Sequence, residues 1–202
     1  MKKHDNTAAL ILAGGRAQRM GGQDKGLLRL NGHAMIEYVI AGLQPQVAAL
    51  SINANRNIPA YQQFGYPVVA DQLADFQGPL AGIASVMQCC QHEYLVVAPC
   101  DGPFMLSDYV ARLHAARIQT NSPITVAYDG ERLQPVYAML TTHLSDSLAA
   151  YLAGGDRKID LWYQQVGYCE ADFRDAKELF VNINTPQELA SASTDIGSIN
   201  VD

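Results

Sequence analysis

Short runs rich in Val, Ile and Leu alternate along this chain with stretches whose apolar residues recur at helical spacing, and this alternation constrains the fold more than any other feature. Strands are predicted over 7–12, 48–54, 67–70, 94–98, 124–128 and 136–140, and helices over 34–43, 80–90, 107–118 and 142–152. Near-continuous apolar strands joined by helical crossovers form a parallel sheet that is covered on both sides. The expected fold is therefore α/β, a single Rossmann-like domain with a mostly parallel sheet flanked by helices on both faces. One core of this kind suits a chain of 202 residues; the domain is expected over 1–192, with 193–202 as a disordered tail. In such sheets ligands bind outside the carboxyl ends of the strands. That rule gathers the segment after Leu12 with Asn53, Asp71 and Asp101 along one edge of the molecule.

The segment at 10–28, LILAGGRAQRMGGQDKGLL, joins the first apolar run to a loop that carries Gly14, Gly15, Arg16, Arg19 and Lys25. Adjacent glycines let backbone N–H groups approach a ligand closely and form an anion-binding concavity. Arg19 and Lys25 add fixed positive charge, which suits a triphosphate better than a single phosphate. The loop is neither of two common nucleotide motifs: Gly14 and Gly15 are adjacent, unlike G-x-G-x-x-G, and Lys25 precedes Gly26, unlike the P-loop. The plainer reading is a glycine-rich turn with solvated basic residues. Formal net charge is −6, so a basic loop here reads as a site for a small anion, not as a nucleic-acid face.

Other sequence features exclude whole classes. The run 8–13 that follows the initial MKK is too short for a signal peptide and is closed by Gly14, Gly15 and Arg16. No apolar run approaches the ~20 residues needed to span a bilayer. Cys89, Cys90, Cys100 and Cys169 show no C-x-x-C spacing, which suggests reduced thiols and a cytoplasmic protein. His4, His33, His92, His114 and His143 share no metal-binding spacing. Cys100 lacks a histidine partner and reads as a small buried residue, while Trp162 and Tyr163 read as the packing face of a helix.

The run LAGGRAQRMGGQDKGLLRLNG resembles the N-terminal signature of the nucleotidyltransferases, most closely that of the molybdenum cofactor guanylyltransferases. The resemblance continues in INANR, VVADQLADFQGPLAGI, VVAPCDGPF, LQPVYAM and FVNINTPQEL, nearly the whole chain. Gly102 departs from it, standing where the family often has Thr. The resemblance implies that an acceptor phosphate attacks the α-phosphorus of a nucleoside triphosphate and pyrophosphate leaves. In its terms the chain is a Mg²⁺-dependent enzyme that uses GTP and molybdenum-bearing molybdopterin as substrates. Contacts with cofactor-biosynthesis proteins, acceptor molybdoenzymes or their chaperones are also implied, and neither nucleic acid nor membrane is.

By the same resemblance Leu12, Ala13, Gly14, Gly15, Lys25, Asn53, Asp71 and Asp101 bind the nucleotide, and Arg19, Lys25 and Asp101 carry catalysis. Asp101 is the Mg²⁺ ligand, a hard carboxylate suited to an ion that keeps several waters. The stretch P-C-D-G-P around it also reads as an ordinary strand-end turn. Asn53 and Asp71 have groups suited to ribose or base, and a carboxylate can take the donors of guanine. Equally, Asn53 fits a turn and Asp71 a helix N-cap. Asn182 and Asn184, alternating with Val181 and Ile183, would present two amides on one face, suited to the acceptor; both also suit bonds to their own backbone. Thr185, Pro186 and Glu188 read as a helix start. A cytidylyltransferase of the same fold and a non-catalytic pterin carrier are the alternatives.

Overall fold

A computed structural model describes residues 3–14, 24–72, 78–183 and 188. The chain runs through β1 (His4–Leu12), a hairpin of β2 (Arg29–Leu30) and β3 (His33–Ala34), α1 (Met35–Leu43), β4 (Val47–Asn53), α2 (Ile58–Gln62) and β5 (Val68–Val69). It continues through α3 (Pro79–Met87), β6 (Tyr94–Pro99), α4 (Tyr109–Thr120), β7 (Ile124–Tyr128), β8 (Leu133–Thr141), α5 (Ser145–Ala153), α6 (Ile159–Val166) and β9 (Cys169–Asp172). Seven strands form one sheet in the order β5-β4-β1-β6-β8-β7-β9. β1 pairs in parallel with β4 on one side and β6 on the other. The strand order thus reverses about β1, and sheets of this kind bind ligands outside the carboxyl end of the strand at such a reversal.

Each central strand feeds two cores because its successive side chains point to opposite faces. Ala9, Ile11, Val96 and Ala98 pack with α1 and α4 through Ile36, Val39, Tyr109 and Leu113. Ala8, Leu10, Leu95 and Val97 pack on the other face with α3, α5 and α6 through Leu80, Ile83, Leu148 and Trp162. Trp162 and Tyr163 are buried in this second core, as expected. The four cysteines are free thiols. Among the described residues no helix is long and apolar enough to cross a membrane.

The departures from expectation have local causes. β8 is antiparallel to both β6 and β7. Only residues 129–132 separate it from β7, too few for a crossover, and Gly130 at φ +98° turns the chain. Asp129 Oδ1 accepts from the backbone N–H groups of Glu131 and Arg132 across that turn, at 2.7 and 2.8 Å. β9 was not expected: its burial alternates, with Glu170 and Asp172 facing water at the sheet edge. The domain boundary at 192 and the tail 193–202 lie outside the described residues.

One buried polar cluster has a consequence for stability. His114 stacks on His4 with ring centroids 4.4 Å apart, and its Nε2 lies 2.9 Å from Thr7 Oγ1. Burial first, then the charges of His4 and Arg117, lower its pKa to about 4, against an opposing pull from Glu93. The unfolded chain therefore binds this proton more readily. The stabilisation is complete above about pH 6.5 and is lost as pH falls toward 4, on the order of 3 kcal/mol. Denaturation midpoints measured at pH 7.5 and 5.0 should differ for the wild type and converge in His114→Gln. An equal pH response in the variant assigns the effect elsewhere.

Candidate active site

The carboxyl ends of β1, β4 and β6 are stitched together just beyond the sheet. Ala13 N donates to Asn53 O at 2.8 Å, and Cys100 N donates to Leu12 O at 3.0 Å. Leu12 is in register with Asn53 and Pro99, so Asn53 and Asp101 flank the start of the glycine-rich loop. Gly14 lies against side chains: a Cβ there would stand 3.1 Å from both Asn53 Oδ1 and Asn55 Nδ2. Gly15 and Arg19 lie outside the described residues.

On one side of the loop, three polar side chains hold one another. Asn53 is buried, and its Nδ2 donates to Val69 O at 3.0 Å and Asp71 Oδ1 at 2.8 Å. Asn55 Nδ2 donates to Asp71 Oδ2, and Asp71 N returns a bond to Asn55 Oδ1, both at 2.8 Å. Asp71 is thus fixed by two carboxamides; the residues of any helix it could cap lie outside the described residues. Asn53 Oδ1 is pressed toward α3, where a Cβ on Gly82 would lie only 2.3 Å away. The second glycine of G-P-L-A-G is there for space. The first, Gly78 at φ +83°, turns the chain into Pro79 at the start of α3.

On the other side stand the charges. Lys25 Nζ lies 3.0 Å from Asp101 Oδ2, and the two side chains are 25% and 13% exposed. The neighbouring Asp24 is buried and accepts from Tyr61 Oη at 2.5 Å and Asn57 Nδ2 at 3.3 Å. This anchors the descending arm of the loop. Gly26 fits in a gap where a Cβ would be 2.7 Å from Tyr61 Oη and 3.1 Å from Cys100 Sγ. Cys100 is buried; desolvation, with Asp101 and Asp24 nearby, raises its thiol pKa well above the usual range. It is a poor nucleophile, as its lack of a histidine partner suggested.

The chain returns to Asp101 at its far end. Ile183 N donates to Asp101 O at 3.0 Å, and Asn182 Oδ1 accepts from Tyr137 Oη at 3.3 Å. Val181 is 48% exposed while Ile183 is buried, so the expected alternation is not a simple two-faced strand. Asn184, Thr185 and Pro186 lie outside the described residues. The structure therefore brings Leu12, Ala13, Gly14, Lys25, Asn53, Asp71, Asp101 and Asn182 to one edge of the sheet. Asn55, Asp24, Tyr61 and Tyr137 join them unannounced. Asn55 had a signal, its i, i+2 spacing from Asn53 in N-A-N; the tyrosines, distant in sequence, had none.

The donor set bears on which metal could bind. Among the described residues no group of three or more His, Cys, Asp or Glu is placed to hold an ion. A single partly exposed carboxylate at Asp101 suits Mg²⁺, which binds through one or two carboxylates, substrate phosphates and water. It does not suit a tetrahedral zinc centre, which needs three or four protein ligands.

Comparison with known proteins identifies the family. A family model described as the MobA-like NTP transferase domain matches residues 9–166. A molybdenum cofactor guanylyltransferase from Shewanella sp. (strain MR-4) is 48% identical over 188 residues, spanning 93% of this chain and 95% of that protein. Another, from Shewanella frigidimarina (strain NCIMB 400), is 48% identical over 93% of this chain and 96% of its own length. Molybdopterin-guanine dinucleotide biosynthesis protein A from Archaeoglobus fulgidus superposes with a TM-score of 0.77 over 93% of this chain and 97% of that one. At 21% identity that likeness concerns the fold. With the family model covering most of the chain and relatives near half-identical, the chain belongs to the MobA-like NTP transferases, a nucleotidyltransferase family.

Proposed function

We propose that the protein transfers GMP from GTP to the terminal phosphate of a molybdenum-bearing molybdopterin. One phosphate oxygen of the acceptor attacks the α-phosphorus; the bond from that phosphorus to the bridging oxygen breaks, and pyrophosphate leaves with the electron pair. The observation that carries this reading is the Lys25–Asp101 pair, 3.0 Å apart beside a glycine-rich loop at the strand-order reversal. Such transfers need little covalent help from the protein and much charge neutralisation. Asp101 would hold Mg²⁺, which when bound supplies positive charge to the phosphate oxygens. Lys25 would face the β- and γ-phosphates, and Arg19, outside the described residues, is assigned to the leaving pyrophosphate with it. Asn53 and Asp71 would serve the nucleoside, and Asn182 and Asn184 the acceptor, Asn184 lying outside the described residues.

The direct test is pyrophosphate release with GTP, Mg²⁺ and the metallated pterin. Release that requires all three supports the assignment. Release with CTP in place of GTP moves the protein to cytidylyl transfer, and tight binding of GTP and pterin without release makes it a carrier.

Base selection is assigned to Asp71. Asn53 and Asn55 fix both of its oxygens, so its remaining lone pairs have defined directions. Removing a hydrogen-bonded partner of this kind costs about 1–3 kcal/mol. Asp71→Ala should therefore lower the preference for GTP over ATP and CTP by about tenfold, read as the ratio of their kcat/KM values at constant Mg²⁺. A uniform loss for all three nucleotides, with the ratio intact, means that Asp71 only braces the two asparagines.

A further inference from the structure

Tyr137 enters the site from β8, and the chain makes room for it in an unusual way. The residue is 1% exposed, and its ring meets Tyr109 and Phe180 edge-on at 6.3 and 5.1 Å between centroids. Those two contacts fix where the hydroxyl points. It reaches the backbone directly after Asp101, where a Cβ on Gly102 would lie 2.1 Å from Oη. Gly102 has no left-handed backbone to accommodate, so the missing side chain serves space alone. From that gap Oη donates to Asn182 Oδ1 at 3.3 Å. The same strip of chain is tied to Asp101 by the bond from Ile183 N.

The direction of that bond matters. Burial, with the Asp101 carboxylate and the Cys100 thiol nearby, raises the phenol pKa well above its usual range. The hydroxyl therefore keeps its proton and can donate. A carboxamide whose oxygen is taken by a donor offers its Nδ2 on the opposite side. A phosphate oxygen accepts from such an amide, whereas the flipped carboxamide would turn an oxygen toward a negatively charged group.

Resting on the transfer reaction proposed above, we infer that Tyr137 is a positioning residue: admitted by the absent side chain at Gly102, its hydroxyl orients Asn182 as a hydrogen-bond donor to the phosphate-bearing acceptor. Tyr137 touches no reacting atom and acts through Asn182. It should govern the acceptor and leave the nucleotide alone.

The test compares Tyr137→Phe, Asn182→Ala, their double variant, Gly102→Ala and the pair Gly102→Ala with Tyr137→Phe. Loss of one hydrogen bond corresponds to about a tenfold change. Tyr137→Phe should raise KM for the metallated pterin by about tenfold, with the dissociation constant for GTP within about twofold of wild type. Adding Tyr137→Phe to Asn182→Ala should change little more, because the two act as one unit. Gly102→Ala should lower the melting temperature, since Oη cannot move aside. Combining it with Tyr137→Phe should restore most of that stability, the ring Cζ lying 3.3 Å from the new Cβ, while the acceptor KM stays high. A pair that recovers both stability and acceptor KM makes the hydroxyl purely structural and overturns the inference. So does a Tyr137→Phe enzyme with wild-type acceptor KM or with equally weakened GTP. Wild-type protein that binds GTP yet releases no pyrophosphate with the pterin overturns the transfer reading, and this inference with it.

Discussion

Asp101→Asn is expected to leave the fold intact and reduce turnover at least about a hundredfold, because removing one preorganised electrostatic contact to a phosphoryl-type transition state has effects of about 10²–10³. The substitution preserves shape and replaces a hard anionic ligand by a neutral amide, a poor partner for Mg²⁺. Lys25 Nζ, 3.0 Å from Oδ2, can still donate to the amide oxygen. Lys25 is one-quarter exposed, so weakening this pair costs little stability after solvent screening, within about 1 kcal/mol. Single-turnover pyrophosphate release, followed across a Mg²⁺ titration, reads the effect. A wild-type rate at saturating Mg²⁺ removes Asp101 from metal binding and leaves it as the brace of Lys25 alone.

How well such a residue can be located from the chain depends on what sets its position. The strands over β1, β4, β6 and β7 were legible because their apolar character comes from burial on both faces, a local signal. Asp101 and Asn53 followed from them, since the ends of parallel strands share one edge. Direction was less legible: nothing within 136–140 says that β8 runs backwards, and the reason lies in the four-residue link that precedes it. β2 and β3 were overlooked although Asn31 and Gly32, at φ +50° and +90°, are a hairpin signal in themselves. The strands they join are two residues each, too short for periodicity to register.

The polar shell behind the site was legible least. Asp24 carries no signal of its own in the sequence, yet it is buried against Tyr61, 37 residues along the chain. Gly82 read as a helix residue in an apolar run, and only the Asn53 carboxamide lying against it explains the glycine. Gly102 stood out as a departure from the family pattern, but its partner Tyr137 belongs to another strand. Each of these is a contact between distant segments, and no window of sequence contains both halves.

Lys25→Ala should weaken GTP by about 10- to 100-fold and GMP by less than about threefold, because a charge-assisted hydrogen bond is worth about 1.5–3 kcal/mol and GMP lacks the phosphates that Lys25 faces. The placement favours a large effect. Lys25 opens a helical turn at Lys25–Leu27, immediately after Asp24, which Tyr61 and Asn57 hold. Gly26, packed against Cys100 and Tyr61, pins the other side. The backbone under the ammonium is therefore fixed before ligand arrives, and little ordering entropy remains to be lost when phosphate binds. Alanine also strips Asp101 of its cation, so turnover should fall together with affinity. Calorimetric titration with GTP, GDP and GMP separates the two consequences. A graded loss, greatest for GTP and least for GMP, places the ammonium at the terminal phosphates. Equal weakening of all three places it at the α-phosphate, and unchanged affinity with reduced turnover confines Lys25 to holding Asp101.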